Sequence, residues 1–395
     1  MGLTFAAVVA LGGSSDAGAA EVTTFPLPDP LVRFDGTAIT TAQQWTESRR
    51  PELFAAFERE VYGITPDRKI EMQARVREEG LAFEGKVRRQ QVVLTFRSEF
   101  GTGTAELLIY SPAKSSAPLP VFLGLNFLGN ASVARDPAIL GRGERGASER
   151  RWPIEYITGA GYAVATLCYE DFFPDNDEAS YATSLQRLFP PEERGPGADR
   201  WGAIATWAWG LSRALDYFET DPQFDAKHVA VIGHSRLGKA ALWAGARDPR
   251  FALVLSNDSG CGGAALSKRI AGETVADIND RFPHWFCHNF RRYNRREADL
   301  PIDQHELLAL MAPRALGVHS ASEDAWADPE GERRALELAQ PVYALFDVAP
   351  LDAPESDPRP RRLHYFLRTG VHDLLLPDWV EYVRFADETL KRIRR

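Results

Sequence analysis

Short runs of consecutive apolar residues recur along this chain, and between several of them the apolar positions shift to intervals of three and four. The runs are Val121–Phe127 (VFLGLNF), Tyr162–Cys168, His228–Ile232, Phe251–Leu255, Ala315–Val318 and Leu363–Leu367. A run with no polar face is expected of a strand buried on both sides in a parallel sheet. Strand-like alternation over residues 70–78, 86–98 and 105–110 precedes them. Helical spacing places Trp201, Ile204, Ala208, Leu211, Leu215 and Phe218 on one stripe after Asp199. A helix is also predicted over Pro51–Tyr62, through Leu53, Phe54, Phe57 and Val61, with Gly63 as its stop. For the last helix, Asp378 is the expected N-cap, and the basic end Lys391–Arg395 suits the helix dipole. This alternation predicts an α/β fold with a mostly parallel sheet covered on both faces, as one domain over 21–395. Irregular stretches near 128–150, 170–198, 268–303 and 348–361 adjoin strands. Ligands of open α/β sheets bind beyond the carboxyl ends of strands, so these stretches are the expected walls of a site.

Composition narrows the classes. The chain has 395 residues, 44% hydrophobic and 26% charged, which excludes a disordered, collagenous or coiled-coil chain. A net charge of −9 without a basic run argues against a nucleic-acid partner. The first twenty residues stand apart. The apolar run Leu3–Leu11, a Gly/Ser break and Ala17-Gly18-Ala19 read as a secretory signal peptide over 1–20, although no Lys or Arg precedes the run. It is shorter than the roughly 20 apolar residues of a membrane span. The expectation is a secreted or periplasmic protein with no membrane partner. Export permits an oxidised pair between Cys261 and Cys287, with Cys168 a packed thiol; the alternative is three buried thiols.

The strongest chemical signal is His228-Val-Ala-Val-Ile-Gly-His-Ser-Arg-Leu-Gly-Lys-Ala-Ala-Leu. An apolar strand feeds Gly233-His234-Ser235 and a helix-forming stretch follows, the context of a nucleophile elbow. The usual G-x-S-x-G pattern has its second glycine one place late, at Gly238. A serine nucleophile needs a base and an acid, in the chain order Ser, acid, His for this topology. His372, in Thr369-Gly370-Val371-His372-Asp373, follows the strand 363–367 and is the natural base. His364 lies inside that strand and reads as structural, and His319 ends a strand where the acid loop should begin. Either Asp324, after the strand ending near Val318, or Asp258, after the strand 251–255, is placed to supply the acid.

At these residues the chain resembles the glucuronoyl esterases, carbohydrate esterase family 15, in their bacterial branch. The resemblance rests on GHSRLGKAALWAGA (233–246), SNDSGCGGAALS (256–267), FPHWFC (282–287), EDAWADPEGE (323–332) and GVHD (370–373). RRPELFAAFEREVYG (49–63) and GLNFLGN (124–130) extend it toward the N-terminus. It implies an α/β-hydrolase fold and cleavage of esters of 4-O-methyl-glucuronic acid, the link between glucuronoxylan and lignin alcohols. By position, Ser235 resembles the nucleophile and His372 the base. Asp258 stands where many members have glutamate, and Asp324 at an alternative acid position. The one-methylene shorter reach of Asp258 favours Asp324. Arg236 resembles a residue that assists the oxyanion hole, and Lys239, Glu273 and Trp326 resemble residues that hold the uronate hydroxyls and ring. Where some members carry a disulfide beside the triad, this chain has His234 and Asp373, so that bridge is absent.

These residue types suit the chemistry. The backbone N–H of Arg236 follows the nucleophile, where an oxyanion develops, and its permanently charged guanidinium adds to that field. His284 and Trp285 either shape the pocket or pack. No zinc-ligand spacing or phosphate-binding glycine loop occurs, so cofactor-free hydrolysis is expected; separately, the chain is expected to act as a monomer. The rival expectations are an acetyl or feruloyl esterase on the same fold and an inactive carbohydrate-binding homologue.

Overall fold

Among the described residues nine strands form one sheet in the order β1-β2-β3-β5-β4-β6-β7-β8-β9. They are β1 Glu71–Ala82, β2 Val87–Ser98, β3 Gly101–Pro112, β4 Leu119–Asn126, β5 Ala163–Cys168, β6 Phe224–His234, β7 Leu253–Asn257, β8 Ala315–Ala321 and β9 Leu363–Arg368. The computed structural model describes residues 22–195 and 197–391. The signal-peptide reading of 1–20 and the basic residues after Lys391 lie outside them. The pairings β1–β2, β2–β3 and β3–β5 are antiparallel, and every pairing from β5 through β4 to β9 is parallel.

The apolar runs acquire their reason here. In β4, Val121, Leu123 and Leu125 enter one apolar layer while Phe122 enters the other, and in β6 Val229 and Val231 oppose Ala230 and Ile232 in the same way. Both faces are dry, so no polar face survives in the sequence. Helices Ala203–Phe218, Arg236–Arg247 and Pro329–Ala344 cover the first face. Ile154–Gly159 and Leu376–Ala386 cover the second. No helix among the described residues is long and apolar enough to cross a membrane.

Several sequence expectations need correction. The helix expected over 51–62 is present and stops at Gly63, but only Arg50–Phe57 is α-helical, the rest winding wider through Glu58–Tyr62. Asp378 is not the N-cap of the last helix: that helix begins at Leu376, and the Asp378 carboxylate reaches back to accept the Leu375 N–H at 2.9 Å. A second demand on the same carboxylate explains its depth, because Arg368 Nε donates to it at 2.9 Å in the interior. Of the two cysteine readings, the structure shows the three buried thiols: Cys168, Cys261 and Cys287 are all buried and free, and the Cys261–Cys287 pair is not formed.

Candidate active site

The chain reverses its direction of travel across the sheet at β4, with β5 on one side and β6 on the other. A crevice at the carboxyl ends of strands beside such a reversal is where open α/β sheets bind ligands. Ser235 follows β6 directly and holds φ +58° and ψ −130°, the left-handed geometry of a nucleophile elbow. Its N–H donates to Asn257 O at 2.8 Å, tying the turn to the end of β7. A side chain at Gly233 would collide with the Leu237 carbonyl. A Cβ on Gly238 would stand 3.0 Å from Ser259 Cβ and 3.1 Å from Gly233 O, so the late glycine serves close packing of the helix onto the elbow and the β7 loop. Arg236 is the first helical residue, and its N–H is among those a helix leaves without an intrahelical acceptor.

The other strand ends bring up the remaining groups. Asn257 pairs with His234 on one side and His319 on the other, so the ends of β6, β7 and β8 are level. Asp324 follows β8, and its Oδ2 lies 2.5 Å from His372 Nδ1. Asp324 Oδ1 accepts the Ala327 N–H at 3.2 Å, which fixes the carboxylate's orientation. Asp258 is wholly interior, 3.9 Å from both His234 Nδ1 and Arg368 Nη2. Burial, aided by the negative charge of Glu332 and Asp324, pushes its carboxyl up to about 9. The structure therefore brings Asp324, and not Asp258, into contact with the imidazole. His319 is fully buried in β8, and burial drives His364 in β9 down to about 3.

The two positions where a disulfide is absent carry other contacts. The His234 ring packs on His372 with centroids 4.5 Å apart, and its Nδ1 is 2.6 Å from Asn257 Oδ1. Burial and the neighbouring His372 hold His234 well below the usual imidazole range, so it presents a neutral ring. Asp373 pairs with Arg150 at 2.8 Å and Arg151 at 2.6 Å.

A pocket of about 340 Å³ opens over Ser235 and His372, lined also by Arg236, Lys239, Asp258, Glu273, Asp324 and Trp326. All eight residues singled out from the sequence thus share one cavity. Lys239 reaches into it from below: Nζ donates to Ser259 O at 2.5 Å and Cys261 O at 2.6 Å, with Glu273 at 3.8 Å. Two of its three donors are therefore spent on the β7 loop, and burial lowers its basicity. Trp326 is 47% exposed, whereas the other eight tryptophans are buried. Of the four expected wall segments, only 268–303 lines the pocket, through Glu273, Arg281, Phe282 and Trp285, and none of the lining residues comes from 128–150, 170–198 or 348–361. A larger groove near Leu81, Trp152 and Tyr156 holds none of the eight.

The family profile described as "Glucuronyl esterase, fungi" matches residues 161–347. A carbohydrate esterase from an unknown prokaryotic organism is 45% identical over 392 residues, covering 93% of this chain and 90% of that protein. Among solved structures, a promiscuous CE15 esterase from a marine bacterial metagenome is similar with a TM-score of 0.85 and 44% identity, over 94% of this chain and 98% of that one. The chain belongs to carbohydrate esterase family 15. A glucuronoyl esterase from Solibacter usitatus matches this CE15 member with a TM-score of 0.86 and 41% identity, over 94% of this chain and all (100%) of its own. The α/β-hydrolase fold follows from the same likeness.

Two residues of this CE15 chain escaped the sequence reading. Arg368 ends β9 and holds the His372 loop from beneath, donating through Nη2 to Val371 O at 2.7 Å and Asp373 O at 2.8 Å. Asp175, from the 170–198 stretch, accepts a hydrogen bond from the Arg236 guanidinium. Neither sits in a local motif; only the weak signal of a charge inside or beside an apolar run marked Arg368. Among the described residues one trio, Asp258, Asp324 and His372, brings potential metal ligands within 4.8 Å of one another. A cation there would compete with the Asp324–His372 hydrogen bond, and the donor set suits proton transfer better.

Proposed function

We propose that this chain hydrolyses esters of glucuronic acid, including the 4-O-methyl uronate esters that join glucuronoxylan to lignin alcohols, through an acyl-enzyme on Ser235. The observation that carries the reading is the Asp324–His372 contact beside the Ser235 elbow, in a pocket that also holds Lys239, Glu273 and Trp326. With Nδ1–H given to Asp324, His372 has Nε2 free to accept the Ser235 proton as Oγ attacks the ester carbonyl. The carbonyl oxygen becomes an oxyanion beside the Arg236 N–H and guanidinium. Collapse expels the alcohol, which takes the proton back from Nε2. Water, deprotonated by the same nitrogen, then releases the uronate and restores Ser235.

The substrate ester is uncharged, so recognition falls to its hydroxyls and ring. Lys239 has one donor left and Glu273 is an acceptor, a complementary pair for vicinal hydroxyls, while Trp326 offers an apolar face. About 300–1,000 Å³ is usual for small-molecule pockets, and the cavity lies at the low end, suited to one sugar ring. Asp258, protonated at neutral pH, acts here as a neutral neighbour of Asp324 instead of the orienting acid. The Leu3–Leu11 run and Ala17-Gly18-Ala19 support export, with 21–395 acting as one catalytic domain.

The test compares turnover of a benzyl glucuronate ester with that of an acetyl ester. The uronate ester should be hydrolysed faster, and Ser235→Ala should abolish that activity. Faster turnover of the acetyl ester, or full activity without the Ser235 hydroxyl, overturns the reading.

A further inference from the structure

Arg236 carries its charge on a long flexible side chain, whose rotamers stay free unless something fixes them. A donor that stabilises an oxyanion is effective only when it is already oriented before the charge develops. In this structure the guanidinium is held on two sides. Its carbon lies 4.7 Å from the centre of the Trp285 ring and 5.3 Å from that of Phe282, rings that are themselves stacked at 3.8 Å. On the remaining side it donates through Nη1 to Asp175 Oδ2.

Asp175 is built to stay charged and still. Its side chain is 1% exposed. Oδ1 accepts from Trp285 Nε1 and from His284 Nε2, each at 2.7 Å, and Oδ2 also accepts from the Tyr169 hydroxyl at 3.2 Å. Burial by itself raises such a carboxyl, but the donors from His284, Trp285 and Arg236 outweigh it and hold Asp175 at about 2. Because an ionised carboxylate only accepts, its contact assigns the proton of His284 to Nε2. The same carboxylate therefore fixes both the guanidinium and the indole against which that guanidinium lies.

We propose that Asp175 is the positioning residue that holds the Arg236 guanidinium beside the ester carbonyl at Ser235. The proposal rests on the esterase reading above. It makes the 170–198 stretch part of the catalytic apparatus without contact to substrate, since Asp175 does not line the pocket.

The experiment is a double-mutant cycle on a benzyl glucuronate ester with Asp175→Asn, Arg236→Ala and the two combined. Arg236→Ala should lower kcat by about 10²–10³. Asp175→Asn should lower kcat by about 10- to 100-fold through misplacement, with little change in KM. In the Arg236→Ala background Asp175→Asn should cost nothing further. An equal loss with and without Arg236, an unchanged kcat in either single variant, or a loss confined to KM overturns the proposal. Should Asp175→Asn fail to fold, Asp175→Glu keeps the charge and displaces it by one methylene. Its smaller kcat loss should likewise vanish without Arg236, and persistence of that loss overturns the proposal. Failure of the esterase reading itself is a separate result, seen as retained activity in Ser235→Ala or as preference for the acetyl ester.

Discussion

Asp324 Oδ2 stands 2.5 Å from His372 Nδ1, while the Asp258 carboxylate is committed to the interior between His234 and Arg368. The two acids differ in their partners. Asp324 gains a histidine partner and a backbone donor, whereas Asp258 is surrounded by the acidic Glu332 and Asp324. Asp324→Asn should therefore lower kcat by about 10⁴, the loss expected when the wrong imidazole tautomer is favoured. Asp258→Asn should retain most of kcat. Steady-state kinetics on both variants decides the matter, and a larger loss for Asp258→Asn reverses the assignment.

Asp258 also carries a pH signature. A carboxyl raised to about 9 in the folded state binds a proton that the unfolded chain releases near its ordinary value of 3.8. Stability from this group is thus fully present below that ordinary value and is lost progressively as pH rises through about 9. Asp258→Asn removes the titration. Its melting temperature should fall less than that of the parent between pH 5 and 9, measured by scanning calorimetry; parallel curves would contradict the shift.

Lys239 and Trp326 share the pocket but differ in what they support. Lys239→Met leaves the buried Ser259 and Cys261 carbonyls without their donor, at about 1–3 kcal/mol each. It should lower the melting temperature as well as raise KM. Trp326 is exposed, so Trp326→Ala should raise KM for the uronate ester and leave the melting temperature within about 1 °C, as for an ordinary surface change. Denaturation and kinetics measured on the same preparations separate the two.

Arg368→Met removes the cation that pairs with buried Asp378 and carries the His372 loop. Breaking a buried pair by deleting one partner costs about 3–5 kcal/mol. Urea unfolding should register that loss, and kcat should fall while KM changes little, since Arg368 does not line the pocket.

The catalytic chemistry was legible in the sequence wherever it is encoded locally. Gly233, Ser235 and Gly238 lie within one strand–turn–helix unit, whose backbone demands can be read from neighbouring residues alone. The apolar runs determined the parallel strands, because a strand buried on both faces can carry no polar alternation. Other relationships join residues far apart in the chain, and only the tertiary structure decided them. As loop acids after successive strands, Asp258 and Asp324 differed only by the shorter reach that favoured Asp324; the His372 hydrogen bond is what separates them. Asp378 resembled a cap because its local pattern fits one, until Arg368 drew it inside. Asp175 had no local mark at all, since its function is defined by Arg236, His284 and Trp285, which reach it only when the sheet brings the loops together. Local propensity acts over a few residues, whereas desolvation and charge pairing depend on every atom nearby. That difference of range is why the Ser235 elbow could be found in the sequence, whereas Asp175 could not and the preference for Asp324 rested there on side-chain reach alone.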